Sequence, residues 1–143
     1  MKNKNAAQDT DIHVPYEGGD FFCERLECDT LQDDGTIVRK KHTASGIRSN
    51  VPRTVWQHSP TGYNFGYNGS GPTDLALNLL LYACNGEQVA RNLTVDFRMK
   101  FIAPVQGNEW RIGAQELADY LRSHGAILSL QFQGLNQLKP YTK

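Results

Sequence analysis

The chain has 143 residues, 39% of them hydrophobic, with 15 Lys and Arg set against 15 Asp and Glu. That length fits one domain with a modest core, and the balanced charge excludes the broadly basic surface of a DNA-packaging protein while leaving local basic patches open. With polar residues at 1–10 and no apolar run of spanning length, neither a secretory leader nor a membrane segment is expected, and the location implied is cytoplasmic. Residues 1–14 carry little to bury and are expected to form a flexible arm, ahead of a single domain over 15–133 and a tail over 134–143. Strands are predicted from Phe21 to Leu31 and from Thr36 to His42, joined at Asp33-Asp34-Gly35, because Asp-Gly favours a hairpin turn. The stretch from Thr43 to Thr54, with Gly46, Asn50 and Pro52, reads as a loop.

Next comes the most informative run in the chain. His58-Ser59-Pro60-Thr61-Gly62 is a turn; Tyr63, Phe65 and Tyr67 then alternate with Asn64, Gly66 and Asn68, which puts three rings on one face of a strand. The Gly69-Ser70-Gly71-Pro72 loop leads into Asp74-Leu75-Ala76-Leu77-Asn78-Leu79-Leu80-Leu81. Proline suits the first helical position, so a helix is predicted from Pro72 with Gly71 as N-cap and Asp74 at the third position, facing the free amides. Only Asp74, Asn78 and Tyr82 form a polar stripe on it, so it is expected to be mostly buried, and Asn85-Gly86 stops it. Leu93, Val95, Phe97, Met99 and Phe101 alternate with polar residues, which predicts a strand over 93–102; the same residues recur at four-residue spacing, leaving a helix open. A short strand over 109–112, a helix over 114–124 buried through Leu117, Ala118 and Leu121, and an edge strand over 127–132 complete the prediction. The fold class is α+β: an N-terminal hairpin, a central strand, glycine loop and buried helix, a further strand and a C-terminal helix.

The string His58-Ser-Pro-Thr-Gly62, aromatic, any residue, aromatic, Gly66-Tyr67, any residue, Gly69-Ser-Gly-Pro72, with Leu75-Ala-Leu77 after two residues, resembles the hallmark of an uncharacterised family, a domain of unknown function found in bacteria and their phages. The resemblance extends through Phe97–Pro104 and Trp110 to the helix around Glu116–Leu121, about residues 57–124. Asp74 stands where that family carries a neutral residue, and Gly113 where it carries a hydroxyl-bearing cap. What the resemblance implies is a fold and a mobile-element origin; it implies no mechanism.

Several residues invite a chemical reading. A glycine loop entering a helix N-terminus can bind phosphate through its amides, and Asn68, Gly69, Ser70, Gly71 and Asp74 are the candidates, although no Lys follows the glycines as in a Walker loop. Tyr63, Phe65 and Tyr67 could stack bases; at least two of them are expected in the core instead. Arg39, Lys40, Lys41, Arg48 and Arg53 form a local basic cluster that could contact nucleic acid or simply be a solvated edge. His58 and Asp74 are the weak catalytic candidates, as acid–base and metal carboxylate. Cys23, Cys28 and Cys84 are an odd count without a secretory signal and read as reduced thiols; Cys23 and Cys28 near His13 or His42 lack the second half of a zinc site. No metal or cofactor is therefore expected. The leading expectation is a non-enzymatic accessory protein of a phage or mobile element that engages a host protein, another host macromolecule or a nucleotide signal. The alternative is an enzyme that processes a phosphate-bearing ligand at the corner from Gly69 to Asp74.

Overall fold

A computed structural model describes residues 11–26, 28–31, 35, 37–40, 46–55 and 62–140, with the backbone alone described over 28–31 and 37–40. The elements in chain order are β1 (Ile12–His13), β2 (Phe21–Arg25), β3 (Cys28–Leu31), β4 (Ile37–Lys40), β5 (Ile47–Ser49), α1 (Ser70–Ala83) and α2 (Glu87–Phe97). A π-helical turn (Arg98–Ile102), β6 (Glu109–Ile112), α3 (Ala114–Ser123) and α4 (Leu130–Asn136) follow. The domain is α+β, as the sequence predicts. β1, β5, β2 and β6 form one sheet in that order, β1 parallel to β5 and the other pairs antiparallel. β3 and β4 form the predicted hairpin as a separate two-stranded sheet, Cys28 opposite Lys40 and Leu31 opposite Ile37.

The alternation of the main sheet explains where the helices lie. Phe21 and Cys23 of β2, Ile47 of β5, and Trp110 and Ile112 of β6 are buried, while Glu109 and Arg111 between them are exposed, so one face is apolar and must be covered. α1 lies at the centre of the helices, packed against α2, the π turn and α4. Leu75, Leu79 and Leu80 have no exposed surface, each side chain contributing about 1.5–3 kcal/mol by leaving water.

Polar residues inside this helix are satisfied by the chain that crosses it. Asn78 Oδ1 accepts from the amides of Thr54 (2.5 Å) and Val55 (2.9 Å), and its Nδ2 donates to Val55 O and Asp74 O. This side chain does for residues 54–55 what a neighbouring strand would otherwise do.

Four sequence expectations are corrected. Residues 93–102 are helical: the buried positions Ala90, Thr94 and Phe97 follow the 3.6-residue period, and Val95 and Met99, which a strand would share with Phe97, are 52% and 55% exposed. The loop over 43–54 contains β5, a three-residue strand at the interior of the sheet, too short to produce a period. The edge strand over 127–132 is replaced by a single bridge of Leu128 to Cys84 and by α4, whose start is capped by Ser129 Oγ accepting from Phe132 N. Within the expected arm, Ile12 and His13 form β1 and pair with β5, and within the expected tail Asn136 Oδ1 accepts from Tyr16 OH (3.0 Å) and Gly19 N (2.7 Å).

The aromatic run is also not a regular strand. Tyr63 and Phe65 are buried, in keeping with two of the three rings belonging to the core, and Tyr67 is 46% exposed because the chain bends from Gly66 onward. α1 starts at Ser70 rather than Pro72, with Gly69 as an N-cap in extended geometry. Gly71 is needed for space: a Cβ there would lie 2.8 Å from Asn64 Cβ and 3.2 Å from Asn64 N. At Gly69 the obstacle would be the ring of Tyr67, a surface side chain that can swing away. Gly71→Ala is therefore expected to lower the unfolding free energy by about 1–3 kcal/mol in spite of the better helix propensity of alanine, and Gly69→Ala by less than about 1 kcal/mol. Urea denaturation of both variants checks the contrast.

Candidate functional site

Two segments brought together by Arg25 make the surface with the most distinctive chemistry. Arg25, at the end of β2, donates from Nε to Asn64 Oδ1 (3.2 Å), from Nη1 to Gly107 O (2.7 Å) and from Nη2 to Phe65 O (2.5 Å), and its guanidinium lies 4.2 Å from the Phe65 ring centre. Burial pulls the Arg25 pKa down from its usual value. The clamp is completed by Gly66 N donating to Ile102 O at 3.0 Å. Gly66 has φ +90, and a Cβ there would meet Val105 O at 3.1 Å, so glycine satisfies both the backbone angle and the close approach. A cleft of about 450 Å³ lies between the two segments, lined by Arg25, Gly66, Ala103, Pro104, Val105, Gln106 and Gly107.

The same two segments meet again at the start of α1. The π turn carries the wider hydrogen bond from Ala103 N to Arg98 O (2.8 Å), and such turns frequently occur at functional sites. Its first residue, Arg98, donates from Nε to Asn68 Oδ1 (3.0 Å) and from Nη1 to Thr73 Oγ1 (2.9 Å). Thr73 Oγ1 in turn donates to Gly69 O at 2.6 Å. No side chain caps α1 and no acidic residue occupies its first turn, so the positive end of the helix dipole and the Arg98 cation lie together. Exposed Ser70, Asn68 and Tyr67 flank them.

Asp74 belongs elsewhere. Because α1 begins two residues earlier than predicted, Asp74 falls beyond the first turn and does not face the free amides. It is fully buried, with Oδ2 3.9 Å from Nη1 of Arg53, whose side chain is only 7% exposed. Arg53 also donates to Val55 O (3.1 Å) and lies 4.2 Å from the centre of the Tyr63 ring. Burial lowers the Arg53 pKa and raises that of Tyr63. At the glycine corner Asn68 and Ser70 are exposed and Gly69 is partly so, while Tyr63, Phe65, Gly71 and Asp74 are buried beneath.

Of the basic cluster, Arg48 and Arg53 lie apart. Arg48 Nη1 pairs with Glu24 Oε1 at 2.6 Å and its guanidinium lies over Phe22; Arg53 turns into the core; Arg39 and Lys40 lie on β4. Lys41 and His58 fall outside the described residues. Cys23 and Cys84 are free thiols, both buried; desolvation raises the pKa of Cys23, and that of Cys84 to about 11, so neither is a ready nucleophile. Among the described residues no group of three or more His, Cys, Asp and Glu side chains could hold a metal ion, and no helix is long and apolar enough to cross a membrane. Arg25 and Arg98 were not singled out by the sequence. Arg98 lies within the second run of the resemblance, 97–104, and its spacing from Asn68 and Thr73 in sequence carries no sign that they meet.

Asp74→Asn removes one of the negative charges that face the buried guanidinium of Arg53, and the unfolding free energy is expected to fall by about 2–4 kcal/mol. An unchanged denaturation midpoint would remove that role.

Searches of the curated proteins and of the solved structures returned no match. The model of DUF6166, a family of unknown function, matches residues 29–123, a span that starts in β3, ahead of the glycine motif, and takes in both segments of the site. The chain belongs to the family of unknown function DUF6166.

Proposed function

We propose that this protein is a non-enzymatic binding protein that takes a phosphate-bearing small molecule, of the kind a nucleotide signal provides, at the corner formed by Asn68, Gly69, Ser70 and Arg98. In keeping with the resemblance described above, it serves a phage or mobile element as an accessory factor in the host cytoplasm. The observation that carries the reading is Arg98 set beside the uncapped start of α1: a guanidinium and free helix amides are complementary to a phosphate dianion in both charge and donor geometry. Exposed Tyr67 offers a ring face next to it, and the cleft between Arg25 and Gly107 has room for a further part of the ligand. The enzymatic alternative draws no comparable support, because the carboxylate it would use, Asp74, is buried against Arg53.

Calorimetric titration of the full chain with ADP and with inorganic phosphate tests the reading. Binding of ADP is expected, weakened about tenfold or more in Arg98→Ala, the loss of one charge-assisted contact, while the melting temperature of the free variant changes little. Absence of binding to the native chain, or equal affinity in the variant, would overturn it.

A further inference from the structure

The two edges of the main sheet are not alike. β1, at one edge, is two residues long, the short form in which edges ordinarily escape pairing. β6, at the other, has four residues and a strand on one side only. The ladder fixes where its backbone groups point. Arg25 N donates to Asn108 O at 2.9 Å, and the register continues through Cys23 opposite Trp110 and Phe21 opposite Ile112, so the hydrogen-bonded pairs with β2 fall on residues 108, 110 and 112. Glu109 and Arg111, between them, direct N–H and C=O away from β2. Among the described residues no group bonds to these outward N–H and C=O groups.

The side chains of the same two residues lie on the sheet face away from the helices, each half exposed, with Arg111 Nη2 2.6 Å from Glu109 Oε2. Arg111 Nη1 is 3.5 Å from Asp20 Oδ2, and its guanidinium lies 5.6 Å from the centre of the Phe22 ring. Toward the interior of the sheet, Glu109 stands opposite Glu24, which is paired in turn with Arg48 of β5. Like charges directly opposite one another on a sheet are unfavourable and unlike charges favourable. The row Arg48, Glu24, Glu109 therefore ends at the open edge on a carboxylate, and the strand that fits next to it carries a cation at that position.

We infer that β6 pairs with β6 of a second copy of this chain, antiparallel across a two-fold axis at Trp110. In that register Glu109 of one copy stands opposite Arg111 of the other, and Arg111 opposite Glu109. These are the residues whose N–H and C=O point outward, so each pair exchanges both backbone bonds while the unlike charges meet over the exposed face. An axis at Glu109 or at Arg111 would oppose like charges, and a slip of one residue would set outward backbone groups against groups already bonded to β2. The same patch serves on both copies, as a closed dimer requires, and the charges that guard the edge against other strands are the ones that admit its own copy. One pair of short strands is smaller than a permanent interface, so the dimer is weak and reversible. The pairing draws on none of the residues at the glycine corner.

Sedimentation of the full chain from about 1 μM to about 1 mM is expected to show monomer passing into dimer, and the amide protons of Glu109 and Arg111 are expected to exchange with solvent more slowly as the concentration rises. Glu109→Arg and Arg111→Glu each set like charges across the axis, and the dimer dissociation constant is expected to rise about tenfold in each. The double variant Glu109→Arg/Arg111→Glu keeps the native net charge, restores unlike charges across the axis, and is expected to associate about as tightly as the native chain. A native chain monomeric throughout, or a double variant that associates no better than either single one, would overturn the inference. If Arg111→Glu, which also faces Asp20, does not fold, the amide exchange of the native chain decides alone, and rates independent of concentration overturn the pairing.

Discussion

A helix buried on nearly every side cannot leave its polar side chains unsatisfied, and the way α1 meets that condition organises the domain. Asn78 uses all its amide capacity on residues 54, 55 and 74, and Asp74 faces the guanidinium of Arg53, four residues after the end of β5. A single irregular strand of chain, 50–55, is thereby tied across the helix, joining the main sheet to the helical layer without any ladder between them. An unpaired carboxylate or amide at either position would cost more than the contact gains, since the penalty for a buried polar group exceeds the net worth of its hydrogen bond. The polar stripe visible in the sequence is thus an internal seam.

The π turn plays the second organising part. The turn closes with the wider bond from Ala103 N to Arg98 O, and Phe101 O, near its end, accepts from Trp110 Nε1 of β6. In the same step Arg98 is turned toward the glycine corner, while Phe97 and Phe101 remain on Tyr120. The turn therefore touches the sheet, α1 and α3 at once. Arg25 reinforces it from the end of β2 through carbonyls of both segments. The rim of the cleft is set largely by backbone groups, which leaves side-chain identity free over much of its lining.

Local signals in the sequence were reliable where sterics act within a few residues. Asp33-Asp34-Gly35 between two β-rich runs announces the β3–β4 hairpin, the spacing of Leu117, Ala118 and Leu121 announces α3, and the aliphatic run after Pro72 announces a buried helix. They failed where two periods fit the same residues. Over 93–101 every second residue is apolar, but residues four apart also share a helical face, and the helix is the arrangement that places both Phe97 and Phe101 on Tyr120 of α3 while Val95 and Met99 face outward. Strand β5 was unreadable for another reason: three residues flanked by glycine and proline carry no period, and its place inside the sheet follows from partners 22 and more residues away.

Taken alone, the sequence determined the fold class, the hairpin, and the existence and burial of α1 and α3, because these depend on side-chain size, backbone freedom and short-range periodicity, while the family was read from a resemblance of motifs. Tertiary structure decided the chemistry of the site. Two of the charges that a linear reading grouped as one basic patch lie apart, Arg48 in a sheet-surface ion pair and Arg53 as a core cation, because Arg53 lies beyond the end of β5 where the chain crosses α1. Asp74 passed from helix cap to buried counter-ion through a shift of two residues in the start of α1. Arg98 meets Asn68 and Thr73, 30 and 25 positions away in the numbering, only because the π turn packs against α1, and no property of these residues, read along the chain, contains that contact.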